Sequence, residues 1–433
     1  MDIILDWVMI TISTIIMYKV YKNIIYFKNS SIANYIIAII YVFCVLPIIL
    51  NYFIGIPSYS TVYWYKPFIK AMNNSLVNVI YDIYILLIIV ILYVLFATKK
   101  VKVELKRENT LTSLFKNNKI IALLLIVSPL IVILCTGTLK NYTVYNVSSA
   151  RGFSESSKIS LVTPTLLLST ITFFSVCFKD NFNFKKVVIS LIYFICIVWI
   201  SGKRFMIANI LVLMIFYAVN SNLKNKARKK MFKCIPILGV LLIVFSSFYL
   251  IAIRPLSDTS FESVYEMLRV DFGRDDVIKY VINEEIINNR NILEYRGETF
   301  VSLLLFFIPR KIWPNKPYPH YMYLTASILG LNISKLPAGT TPSLLEMTIC
   351  NFGIFGFFLG GIILCVLTYL IDRCKDIDRK AILLILSIVL LTQSMDSYIV
   401  FIFLLILMRL FMLLFKNKSI KFIIGGKVNA SNE

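Results

Sequence analysis

Apolar runs of bilayer length, separated by breaks that hold most of the lysine and arginine, constrain this chain more than any other feature. A hydrocarbon core about 30 Å thick needs roughly 20 apolar residues in a helix to cross it. Runs near 3–18, 32–54, 79–97, 120–137, 160–178, 187–200, 205–220, 234–253, 347–371, 381–395 and 398–415 approach that length. In lipid each such segment must satisfy its own backbone hydrogen bonds, which requires helices. The expected fold is therefore an all-α polytopic membrane protein with about eleven transmembrane helices. With 58% hydrophobic residues and a mean hydropathy of +0.80, the chain is more apolar than a soluble core of this size can absorb. The first run starts between Asp2 and Asp6 without a small-residue cleavage site, so it reads as a span and not as a cleaved signal peptide.

The net charge of +22 would suit a nucleic-acid binder if it were gathered in one basic domain. It is not. The alternate breaks at 19–31, 98–119, 179–186, 221–233, 372–380 and 416–433 hold 27 basic and 7 acidic residues. That asymmetry assigns these breaks to the cytoplasm, places the N-terminus outside and the C-terminus inside, and makes anionic membrane lipids the partners of the charge. No nucleic-acid partner is expected. Four regions follow: an N-terminal bundle of about eight helices over 1–253, a large extracytoplasmic loop over 254–346, C-terminal spans over 347–415 and a basic cytoplasmic tail over 416–433.

Eight cysteines, scattered through apolar runs without a CxxC pair, read as small core residues. A single histidine and no Cys/His cluster leave no metal site to expect, and no cofactor motif is present.

The loop over 254–346 holds ten basic and eleven acidic residues, unlike the cytoplasmic breaks, and is where function is expected. Thr259 with Glu262 predicts a capping box for a surface helix through Leu268, and Asp275–Ile287 predicts a second amphipathic helix beyond Gly273. The apolar stretch Phe300–Ile308 is too short to span and reads as re-entrant or interfacial. Asp376-Ile377-Asp378 and Asp271-Phe272-Gly273 match transferase and kinase triplets without the surroundings such sites need.

Arginine binds phosphate oxygens in a bidentate fork, and a guanidinium beside lipid is costly without an anionic partner. Arg204, preceded by Lys203, closes one outer turn; Arg254 ends the eighth run on the same side; and Arg269, Arg274, Arg296 and Arg310 follow in the loop, with Lys316 in the proline-stiffened strip after Arg310. Lone arginines at span ends also snorkel to headgroups, but this recurring set on an otherwise cation-poor side favours a phosphate site. Glu346, where the ninth run opens, is a candidate base or structural partner. His320 is a candidate proton acceptor, although a lone surface histidine is more often chemically idle.

Three stretches carry a family resemblance: Ser201-Gly202-Lys203-Arg204; Tyr295-Arg296-Gly297-Glu298-Thr299-Phe300 leading to Pro309-Arg310-Lys311-Ile312-Trp313-Pro314-Asn315-Lys316-Pro317; and Gly339-Thr340-Thr341-Pro342-Ser343-Leu344-Leu345-Glu346 with Asn351-Phe352-Gly353-Ile354-Phe355-Gly356. With its topology, the chain resembles the bacterial oligosaccharide repeat-unit polymerases, the Wzy-like O-antigen and capsule polymerases, distantly similar to O-antigen ligases. Where those ligases carry a His-Asn pair, this chain has Thr341-Pro342.

The resemblance implies a GT-C-like membrane glycosyltransferase of the bacterial cytoplasmic membrane, metal-independent, acting on undecaprenyl-pyrophosphate-linked oligosaccharide as donor and acceptor. Flippase and chain-length regulator proteins are its implied partners. Arg204 and Arg254, with Lys203, Arg269, Arg274, Arg296, Arg310 and Lys316 in support, would then hold pyrophosphate and glycan, and Glu346 or His320 would activate the attacking hydroxyl, with the loop helices closing as a lid. A ligase with the same leaving group, a flippase or transporter of the lipid-linked sugar, and an envelope scaffold are the alternatives.

Overall fold

The computed structural model describes residues 2–60, 65–101, 119–135, 162–177, 184–201, 204–220, 260–333, 336, 340–374 and 376–399, with isolated positions in 233–244 and 402–406. In chain order its helices are α1 (Asp2–Ile25), α2 (Ile32–Phe53), α3 (Lys66–Met72), α4 (Ser75–Ala97), α5 (Lys119–Cys135), α6 (Val162–Cys177), α7 (Phe184–Ser201), α8 (Arg204–Asn220), α9 (Phe261–Phe272), α10 (Asp275–Ile282), α11 (Glu298–Leu304), α12 (His320–Leu329), α13 (Leu344–Phe352), α14 (Ile354–Asp372) and α15 (Ile377–Thr392). No strand occurs among the described residues.

The chain is a helical membrane protein. Helices α1, α2, α4 and α14 are long and apolar enough to cross a bilayer, and α5 to α8 contain shorter apolar segments. Each long helix buries one stripe and leaves the other apolar. On α4, Val77, Tyr81, Ile85, Ile88 and Leu92 are buried while Leu87, Ile91 and Val94 are exposed; on α14, Phe355, Phe358, Ile362 and Val366 are exposed. An apolar surface of this extent is at home only against lipid. The expected eighth and eleventh spans and the basic tail lie almost wholly outside the described residues.

Hydrogen bonds sort the connections into two ends. At one end Asn29 bonds the carbonyls of Ala97 and Lys99, Ser31 donates to Asp372, Lys380 pairs with Asp372, and Tyr217 donates to Asp378. Four of the cation-rich breaks therefore begin or end together. At the other end Ser58 and Tyr59, beyond α2, bond Glu266 of α9 and Asp276 of α10.

Helix α2 is interrupted by a wide π-type turn over Tyr41–Val45. Pro47 is the reason: it lacks the N–H that would reach the Phe43 carbonyl. That carbonyl accepts the backbone N–H of Arg274, and the Cys44 carbonyl accepts the Tyr81 hydroxyl. A proline in one span thus makes the docking point for a helix of the long loop.

Two expectations are corrected. The ninth run is not one helix. It bends at Gly353, which has a φ of +57° and lies against the Arg296 guanidinium, while Gly356 lies against the backbone of Thr348 and Ile349, so neither position has room for a Cβ. Only α14 is left to span. The second loop helix is no surface lid: every residue of α10 is buried, charged ones included, and a π-type turn over Asn283–Ile287 extends it. Its hydrophobic periodicity predicts a single apolar face, but it is enclosed on all sides by α2, α3, α4 and α13.

Candidate functional site

Ser260 starts α9 by accepting the Ser263 N–H, one residue after the cap expected at Thr259, which lies outside the described residues. On α9, Glu266 accepts from the Ser60 N–H at 2.7 Å and from the Ser58 hydroxyl at 2.8 Å, which ties the segment after α2 to this helix.

Arg269, one turn later, donates from Nη1 and Nη2 to the two carboxylate oxygens of Asp275, each at 2.9 Å. Both side chains are buried, and the fork is closed. Burial alone would raise the Asp275 carboxyl, but the Arg269 guanidinium outweighs it and holds it below the usual range. Asp276 has no such partner. It accepts from the Tyr59 hydroxyl at 3.1 Å, and burial with the adjacent Asp275 charge pushes it up to about 7. Arg269 therefore holds α10 in place and is not a free ligand.

Arg274, on the other side of Gly273, is also buried but pairs with no carboxylate among the described residues. Its Nη2 donates to the Thr392 carbonyl at the end of α15, 2.7 Å away, and its Nε has no partner among the described residues. Glu346 opens α13. Its Oε2 accepts from the Ser343 N–H and hydroxyl in a capping box, and its Oε1 has no partner. Burial raises the Glu346 carboxyl, and the Ser343 bonds and the Arg274 charge only partly offset that.

His320 is not at the surface. It begins α12 with its backbone N–H on Asp396, its ring is fully buried, and neither ring nitrogen has a partner among the described residues. Burial pushes the imidazole down to about 3, so the ring is neutral at ordinary pH.

Two stretches of the family resemblance meet in space. Thr299 and Asn351 bond each other at 2.7 to 2.9 Å, Phe300 packs on Phe352, and Arg296 covers Gly353 while lying 3.8 Å from Glu285. Arg310 stacks on the Tyr318 ring at 4.2 Å and stays exposed. Lys316 donates to three carbonyls, of Leu305, Phe306 and Ile308, and so closes the turn after α11. That occupation makes it a structural residue. Lys203 and Arg254 lie outside the described residues, as does the side chain of Arg204, which opens α8.

Sequence reasoning passed over Lys279, buried with its ammonium 5.0 Å from the Tyr81 ring, and Asp82, whose two oxygens lack partners among the described residues. Asp82 had a signal: it is the one carboxylate within the apolar run 79–97. Lys279 had none, because its burial depends on α10 entering the bundle. No group that could hold a metal ion occurs among the described residues. No family model, curated protein or solved structure matches the chain.

Proposed function

We propose that this chain is a membrane glycosyltransferase that joins lipid-pyrophosphate-linked oligosaccharide repeat units into a longer polysaccharide on the outer face of a bacterial cytoplasmic membrane. Arg274 carries the reading. Leaving a charge unpaired in a protein interior costs several kcal/mol, roughly 3–5 when one partner of a buried pair is lost, and an anionic ligand removes that cost. Arg274 stands in this situation beside a buried glutamate. A pyrophosphate leaving group is the anion such a site suits, and it supplies activation where no nucleotide sugar is at hand.

In this reading a hydroxyl of the incoming repeat unit attacks the anomeric carbon of the lipid-linked chain. The new glycosidic C–O bond forms as the C–O bond to pyrophosphate breaks. Arg274, with Arg204 and Arg254, stabilises the charge that collects on the leaving pyrophosphate. Glu346 takes the hydroxyl proton through Oε1, helped by a carboxyl raised by burial. His320, whose imidazole burial pushes down to about 3, is the weaker proton acceptor of the two. Arg296 and Arg310, both more exposed, serve the glycan or the approach of the lipid pyrophosphate.

The test is the glycan profile of cells in which Arg274→Gln replaces the native chain at equal membrane level. Single lipid-linked repeat units accumulating without long chains support polymerisation; a normal ladder sinks it. Long polymer retained on its lipid would indicate a ligase instead. A second reading, a transporter of the lipid-linked sugar, draws on Asp82, a carboxylate inside a spanning helix. It predicts repeat units trapped on the cytoplasmic face in the Asp82→Asn variant.

A further inference from the structure

A cleft of about 350 Å³ opens between α3, the turn that follows α10, and α12, outside the Arg274 region. Small-molecule sites begin at roughly 300 Å³, so this cleft takes a fragment of one or two rings and not a whole chain. Its lining includes Tyr280, whose hydroxyl bonds Ser327 at 3.0 Å, and Asn283, whose amide oxygen accepts from Asn74. Amide and hydroxyl groups that already exchange hydrogen bonds, beside an aromatic ring, match the alternating hydroxyls and apolar face of a sugar ring.

Its charge is asymmetric. Glu284 is engaged: its Oε1 accepts from Asn283 and Asn288, both at 2.9 Å, and its Oε2 lies 4.0 Å from Arg290. The Arg290 side chain remains 78% exposed at that loose separation. Lys70, from α3, is exposed with no bonded partner among the described residues. Two cations from separate segments thus face a polar cleft in which Glu284, the acid among its described lining residues, is held by amides and loosely by Arg290.

We infer that this cleft is a subsite for an acidic sugar residue, one whose ring carries a carboxylate, with Lys70 and Arg290 holding the carboxylate and Asn283, Tyr280 and Ser327 meeting the ring. The assignment rests on the proposed glycosyltransferase reading and names a feature of its substrate: the repeat unit contains a uronic acid. A sugar phosphate or free phosphate would use the cations but not the amide and hydroxyl floor.

The experiment measures binding to the full chain in lipid nanodiscs. The probes are tetrasaccharides containing glucuronic, galacturonic or mannuronic acid, the same compounds after carboxyl reduction, and inorganic phosphate. At least one acidic tetrasaccharide should bind, with its carboxyl-reduced form tenfold or more weaker. Lys70→Gln with Arg290→Gln should weaken binding by at least tenfold, and the charge-keeping Lys70→Arg with Arg290→Lys should restore it. Both positions are exposed, so a folded variant is expected and is checked by its elution profile. Binding of none of the acidic probes, equal binding of reduced and acidic forms, complete competition by phosphate, or insensitivity to the double substitution would each overturn the subsite. The proposed function fails separately: a normal ladder with Arg274→Gln removes the polymerase while leaving acidic-glycan binding in place, and loss of the ladder with an inert cleft does the reverse.

Discussion

The two ends of the bundle differ in how most of their charge is held, although Lys380 and Asp378 are buried at the first and Arg290 is exposed at the second. At the end that gathers the cation-rich breaks, Lys19, Lys22, Lys99, Lys100 and Arg373 are exposed and rest on the rings of Tyr93, Tyr18, Phe96, Phe27 and Tyr369. At the end that bears the long loop, Arg269, Arg274, Asp275, Asp276, Lys279 and Glu346 are buried. An exposed cation keeps its hydration and gains little from its neighbours, whereas a buried one must be paired or raise the energy of the fold. The first arrangement leaves its cations hydrated; the second holds charged groups inside the bundle, where each one without a partner is costly. Within the second, Arg269 and Arg274 divide the roles, one closed on Asp275 and the other open.

Breaking the closed pair should have the largest effect. Arg269→Met leaves Asp275 buried and unpaired and should cost about 3–5 kcal/mol, read as a lower melting temperature in detergent and lower membrane abundance. Arg269→Met with Asp275→Leu should recover most of the loss. If the single variant melts like the native protein, the contrast between the two arginines disappears.

Arg274→Gln should sharpen the contrast from the other side. It should reduce chain extension by on the order of 10²–10³, equivalent to about 3–4 kcal/mol in the barrier, with a smaller change in melting than Arg269→Met. Equal losses of stability in the two variants would make Arg274 a structural residue.

His320 adds a pH dependence at the loop-bearing end. Burial holds its folded value at about 3, below the 6.5 of an ordinary histidine, so the unfolded chain binds the extra proton first. The contribution is complete above pH 6.5 and is lost as pH falls toward 3, with a slope approaching about 1.4 kcal/mol per unit. His320→Gln should flatten the melting temperature against pH in that window. An unchanged profile would mean that the ring is not enclosed as described.

Ser343→Ala removes the cap of α13 and should cost about 1 kcal/mol, with Glu346 freed from its box. The smallest effect belongs to the opposite end, where Arg373→Gln should change stability by less than about 1 kcal/mol, the value of an exposed cation on a ring. A larger loss there would show that the two ends differ less than their exposure implies.

Much of the helical framework was legible because lipid imposes a length. The runs at 32–54 and 79–97 coincide closely with α2 and α4, since both demand about 20 apolar residues and nothing else satisfies a backbone in hydrocarbon. The candidate site was legible only as a set of residue types. Arg269 and Arg274 looked alike in the chain, as did Lys316 and Arg310. Arg269, Arg310 and Lys316 are closed or stacked by near neighbours, Asp275, Tyr318 and the carbonyls of Leu305, Phe306 and Ile308, whereas Arg274 is placed by partners distant in sequence, Thr392 for its side chain and Phe43 for its backbone. His320 looked like a surface residue because a lone histidine in a polar loop carries no sign of the helix packing that encloses it.

Composition and periodicity by themselves determined that this chain is helical and membrane-embedded, because solvent preference acts on every residue locally and sums along the sequence. Tertiary structure alone decided that α10 enters the bundle, that the ninth apolar run bends at Gly353, and that one arginine of the loop is neutralised while its neighbour is not. The first two outcomes rest on a few directional contacts between distant segments, and the third on the burial that tightens a fork between residues six apart. A freed carbonyl below Pro47, a closed Arg269–Asp275 fork and a corner without room for a Cβ have no local signature, and the energy of each depends on the low dielectric that the assembled bundle creates.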